Sequence, residues 1–110
     1  MKNNRAIDNF IKALEEHEFI KAHELLEDDW KAFKRQKQTT EAKALQGLIN
    51  GATALALYHI KKRPSGFIKV WPVYIKYKPL LQNAKLKDKN RFYDACNILE
   101  KKRDELIKDL

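Results

Sequence analysis

The chain holds one cysteine among 110 residues, so no disulfide can form within it. Three glycines and three prolines are few for a sheet protein with many turns, and the abundance of Leu, Ala, Lys and Glu favours helices. No long apolar run occurs. Lys2, Arg5, Asp8 and Lys12 interrupt the first dozen positions, which excludes a signal peptide or membrane anchor there. A cytoplasmic protein with no transmembrane segment is the resulting expectation. Also missing are paired cysteines at zinc spacing, two histidines flanking a glutamate, a glycine-rich phosphate loop and a dinucleotide fingerprint. Two of the three glycines, Gly47 and Gly51, fall inside a helical pattern, where neither can form such a loop.

What is present suits one folded unit. A length of 110 residues carries one core but not two, and 44% apolar residues offset the entropy of ordering the chain. The net charge of +8 is uneven. Residues 1–55 hold nine Lys/Arg and nine Asp/Glu, whereas residues 56–110 hold fourteen and six, so 14 − 6 = 8 is the whole excess. Residues 61–91 hold ten basic groups and a single acid, Asp88.

Hydrophobic spacing predicts an all-α chain, a compact array or bundle of about five helices in a single domain over residues 1–110. Asn4 is placed to cap a first helix with Ile7, Phe10, Ile11 and Leu14 on one side. A second helix over about 17–34 aligns Phe19, Ala22, Leu26, Trp30 and Phe33. Thr39 or Thr40 caps a long third helix to about Lys62, with Leu45, Leu48, Ile49, Ala52, Leu55, Ala56 and His59 as its stripe. Gly47 and Gly51 lie on another face of it. Each costs up to about 1 kcal/mol relative to Ala, which predicts a second helix packed too closely there to admit a side chain. Arg63-Pro64-Ser65-Gly66 reads as a turn. Residues 67–81 read as a helix with a break or kink near Trp71-Pro72. A last helix runs from about Lys89 to Ile107, with Cys96 on its apolar side as a small core residue.

His23, Glu27 and Trp30 stand at i, i+4 and i+7 and stack on one side of the second helix. Trp30 falls near the centre of the apolar stripe, with the two polar groups at its edge. The segment His23-Glu24-Leu25-Leu26-Glu27-Asp28-Asp29-Trp30 resembles the HxxxExxW signature of a small prokaryotic family known as domain of unknown function 309. Leu45-Gln46-Gly47-Leu48-Ile49-Asn50, followed by Ala52, Ala54 and His59, resembles that family's second recognisable stretch. The resemblance covers about residues 6–85 and leaves the C-terminal helix, about 89–107, outside it. It implies a compact helical domain without an assigned function, for which metal binding by the signature has been suggested. After Pro64 the chain departs from the family pattern, with an aromatic, basic, Pro-interrupted segment.

Three readings of the signature follow. A metal site would use His23 and Glu27 with His59 as third ligand, a donor set suited to Zn, Fe or Mn. In an antiparallel hairpin, however, His23 lies opposite about Ala52, leaving His59 roughly 10 Å further along. An acid–base enzyme would use His23 as base, oriented by Glu27 beside the wall of Trp30. A packing network would join His23 and Glu27 to Trp30 Nε1 or Tyr58, so that losing either partner costs a few kcal/mol. The network needs no further component, and a non-catalytic binding or interaction module is the resulting expectation.

The basic segment suggests partners. Lys61, Lys62, Arg63, Lys69, Lys76 and Lys78 interleave with Phe67, Trp71, Tyr74 and Tyr77, a composition that could hold nucleic acid or another polyanion weakly and without sequence preference. The other reading, favoured because the aromatics match the apolar stripe, is a solvated lysine face over core aromatics. Glu15, Glu16, Glu18, Glu24, Asp28 and Asp29 could meet the same patch in a homodimer.

Overall fold

The structure is a computed structural model and describes residues 5–108. Its elements are α1 (Ala6–Glu15), α2 (Phe19–Leu25), α3 (Glu27–Arg35), α4 (Thr39–His59), α5 (Pro64–Tyr77), a 3-10 helix (Lys78–Gln82) and α6 (Lys89–Leu106). Among the described residues there is no strand. The proposed Asn4 cap lies outside the described residues.

The long helix α4 is the axis of the array. It touches α2 and α3 on one side and α5, the 3-10 helix and α6 on others, while α1 bridges α2 and α6. The predicted stripes supply the core: Phe10, Leu14, Phe19, Ala22, Leu45, Leu48, Ala52, Leu55, Tyr74 and Leu99 are at most 1% exposed. Cys96 is buried among them, and burial pushes its thiol pKa upward.

Gly47 and Gly51 have the close neighbours their position predicts. A Cβ on Gly47 would sit 2.9 Å from the Cβ of Tyr77 in α5. One on Gly51 would meet Leu99 of α6 at 3.0 Å and the Tyr74 ring at 3.4 Å. Two neighbouring helices therefore rest on this face of α4.

Three helix boundaries differ from the sequence pattern. The second helix divides at Leu26, whose φ of −98° and ψ of −2° end α2 and begin α3. Charge supplies the reason: His23 sits in the last turn of α2, and Glu27, Asp28 and Asp29 fill the first turn of α3. The three carboxylates are the sign that the start of a helix favours. Second, α4 begins at Thr39, so its cap position is Gln38, which gives no side-chain hydrogen bond. Third, Pro64 is the first residue of α5, not part of a turn before it. The reversal comes earlier, at Lys62, with φ 57°. The helix then runs unbroken through Pro72, which is exposed, and turns 3-10 at Lys78-Pro79.

Polar ties hold the periphery. Glu100 Oε2 accepts from the Tyr74 hydroxyl and from Lys78 Nζ, both at 2.6 Å, linking α6 to α5 and the 3-10 helix. Glu41, 7% exposed, accepts the Lys85 backbone N–H at 2.7 Å and anchors the loop before α6. Asp8 of α1 pairs with Arg91 of α6 at 2.9 Å.

Candidate functional site

His23 and Trp30 line the seam between α2–α3 and α4, and Glu27 begins α3 beside His23. His23 Nε2 and Glu27 Oε2 are 3.6 Å apart, with side chains 35% and 34% exposed. This is a polar contact across the Leu26 break, longer than a good hydrogen bond and open to water. Trp30 is half-buried on α3, which contributes no fully buried residue, and does not occupy the stripe centre. Its Nε1 is enclosed yet has no hydrogen-bond partner. The expected extension of the His23–Glu27 pair to that indole is therefore not made.

His59 is at another level. Its ring meets His17, in the turn before α2, edge-on at 5.4 Å and Phe19, the first residue of α2, at 5.9 Å. His23 instead shares a small groove of about 150 Å³ with Ile20, Thr53, Ala56, Leu57 and Lys61. The antiparallel course of α2 against α4 thus matches His59 to position 17, not position 23. Among the described residues no group of three or more His, Cys, Asp or Glu side chains is arranged to hold a metal ion. The structure brings His23 to Glu27 and does not bring His59 to either.

A second cleft, about 370 Å³, opens where α3 turns into α4. It is lined by Trp30, Lys34, Lys37, Thr39, Ala42, Lys43 and Gln46. Lys34 Nζ stands 4.5 Å over the Trp30 ring, a cation–π contact that holds the ammonium at the cleft wall. The reversal is made by Lys37, at φ 58°, with Gln38 N–H donating to the Phe33 carbonyl at 2.9 Å. It delivers the first turn of α4 to the cleft floor. The intrahelical bonds begin with the Ala42 N–H donating to the Gln38 carbonyl at 3.0 Å. The Thr39, Thr40 and Glu41 amides precede that bond and have no intrahelical acceptor. Three cations and a helix N-terminus converge here, with no acid in the lining. Lys34, Lys37 and Lys43 were not singled out by spacing, because only the reversal at Lys37 brings them together.

The basic segment is divided by the fold. Lys61, Lys62, Arg63, Lys69 and Lys76 are exposed, whereas Lys78 is tied to Glu100. Phe67, Trp71 and Tyr74 are buried at 4%, 8% and 0% exposure. Tyr77 is half-buried over Gly47. These aromatics are core residues, so the exposed lysines have no stacking platform beside them.

The fold is a small all-helical array with His23 and Glu27 partly exposed at the junction of α2 and α3. The family model described as Domain of unknown function (DUF309) matches residues 7–70, more than half of the chain, and the chain belongs to that family. The matched stretch includes His23, Glu27, Trp30, His59 and the whole cationic cleft. No curated protein and no solved structure matches the chain.

Proposed function

We propose that the protein is a non-catalytic binding module whose signature face takes up an anionic group in the cleft beside Trp30. The observation that carries the reading is the lining itself: Lys34, Lys37 and Lys43 around the first turn of α4, whose one carboxylate, Glu41, lies outside the lining and accepts the Lys85 N–H. Helix N-termini favour anions through aligned amides, and lysines add charge without demanding a fixed geometry. Thr39 offers a hydroxyl that can donate or accept, and Trp30 offers an apolar wall. A phosphate or carboxylate carried on a larger ligand fits this set. Three screened lysines at about 1 kcal/mol each, with up to about 1 kcal/mol from the helix terminus, amount to about 4 kcal/mol and a millimolar Kd for a bare anion.

Catalysis has less support. A metal site needs a third ligand beside His23 and Glu27, and His59 is engaged with His17 and Phe19, while an acid–base pair at the same place is a third exposed to water. Weak nucleic-acid binding by Lys61, Lys62, Arg63, Lys69 and Lys76 would rest on charge alone, since the aromatics are enclosed.

Calorimetric titration with sodium tripolyphosphate at low salt tests the proposal. Saturable binding, abolished by Lys34→Glu with Lys43→Glu, is the expected result. Binding that survives this double change, or none at all, contradicts it.

A further inference from the structure

The outer face of α5 carries an apolar stripe that the fold does not use. Ile68 and Ile75 are 57% and 51% exposed, the two most exposed large hydrophobic side chains described. Pro72 lies between them and is also exposed, giving i, i+4 and i+7 spacing along about 10 Å of helix. Exposed Pro79 prolongs the row into the 3-10 helix. Phe67, Trp71 and Tyr74 make the core contacts from about 60–120° around the helix, on the side away from Lys69 and Lys76.

Charge is distributed around this stripe in one sense only. Lys69 and Lys76, both exposed and two turns apart, flank it on the same side at about 80–100° of helical rotation. Lys61, Lys62 and Arg63 precede the helix, and Lys85 and Lys87 follow the 3-10 turn. Residues 61–87 contain eight basic groups and no acid. The rest of the chain holds 23 − 8 = 15 basic and 15 acidic groups, so the entire net charge of +8 belongs to this segment.

We infer that the outer face of α5 docks on an anionic lipid surface. The two isoleucines and Pro72 enter the boundary between headgroups and acyl chains, and the lysines remain at headgroup level. An exposed apolar ridge flanked by cations is the pattern of a helix lying in the plane of a charged interface. No helix among the described residues is long and apolar enough to cross a membrane, so the association is peripheral. Charge disfavours a two-fold pairing of α5 with its counterpart in a second copy, since the helix has no acid to meet the partner's lysines. A bilayer also needs no matching register, which suits a ridge without a pocket of its own. This inference does not depend on the cleft beside Trp30.

The test is co-sedimentation with unilamellar vesicles of phosphatidylcholine, alone or with about one-third phosphatidylserine. Binding to the anionic vesicles only, weakened by salt, is expected. Ile68→Ser with Ile75→Ser should lower the partition coefficient at least about tenfold, with the melting temperature retained because both side chains are exposed. Lys69→Glu with Lys76→Glu should do the same. Absence of binding to anionic vesicles overturns the inference, as does binding that ignores the isoleucine change. A concentration-dependent increase in mass by light scattering, abolished by the isoleucine change, would assign the stripe to a second copy and overturn it equally.

Discussion

At the residue scale the two helical glycines separate intrinsic preference from packing. Alanine at position 47 gains up to about 1 kcal/mol of helix propensity, yet its Cβ would stand 2.9 Å from the Tyr77 Cβ. Neither atom is at the flexible end of a side chain, so α4 and α5 must separate. Gly47→Ala should therefore lower stability by about 1–2 kcal/mol net, as measured by urea denaturation. His23 and Glu27 present the opposite case. A buried network would lose a few kcal/mol on truncation, but this pair is a third exposed and 3.6 Å apart. His23→Ala or Glu27→Ala should cost no more than about 1 kcal/mol in the same measurement. The spacing of the signature put its three residues on one face, and that much was legible. The depth of the face was not, because burial depends on where α4 lies and on the change of course at Leu26.

At the element scale the unusual feature is where glycine is missing. The helix ends after α1, α3 and α4 reverse through left-handed residues that are not glycine: His17 at φ 59°, Lys37 at φ 58° and Lys62 at φ 57°. The first two are closed by bonds across five residues, Glu18 N–H to the Ala13 carbonyl at 2.8 Å and Gln38 N–H to the Phe33 carbonyl at 2.9 Å. A side chain in this conformation costs about 1 kcal/mol that glycine does not. Lys37→Gly should raise stability by about 0.5–1 kcal/mol, seen as a higher urea midpoint with an unchanged slope. The five predicted helices were readable from apolar spacing, since each presents a stripe to the core, and the second buried face of α4 was marked by its two glycines. The division of the second was marked only by charge, with a histidine ending one helix and three acids beginning the next. Apolar periodicity does not register that signal. The cleft formed by Lys34, Lys37 and Lys43 was illegible for a related reason. It depends on a sharp reversal at a lysine, a residue that carries no turn signature.

At the scale of the whole molecule, titrating groups set a pH window for stability. His17 has its pKa lowered from 6.5, first by burial and then by Lys102, whose Nζ is 3.1 Å from its Nε2, and by His59. The unfolded chain takes up this proton more readily, so the contribution is complete above 6.5 and is lost as pH falls toward the folded value. Burial alone would raise the pKa of Glu100, but bonds from Lys78 and Tyr74 outweigh it and hold the group below 4.5. Its contribution disappears as pH falls through that lowered value. On the alkaline side, burial raises the Cys96 thiol above 9.0 and the Tyr74 phenol above 10.0. Their contributions are present at neutral pH and are lost as pH rises past those ordinary values. Melting temperature should accordingly plateau between about 6.5 and 9 and fall on both sides. His17→Asn, which tolerates the left-handed backbone but does not titrate, should remove the first part of the acid decline in a thermal-melt series. The concentration of positive charge in one half of the chain was plain in the composition. The neighbouring aromatics were readable as core residues too, because they recur at the spacing of one apolar helical stripe, whereas the pairing of Lys78 with Glu100 was not, since it joins positions 22 apart only in the folded chain.

The central claim is that the signature face of α3 and α4 receives an anion, and amide-resolved NMR titration with tripolyphosphate addresses it most directly. Anion binding there should give saturable shifts confined to the Thr39, Thr40 and Lys43 amides and the Trp30 indole N–H, which decline as salt is added. Shifts that are absent there, or that fall instead on His23, Glu27 and His59 together, would contradict it.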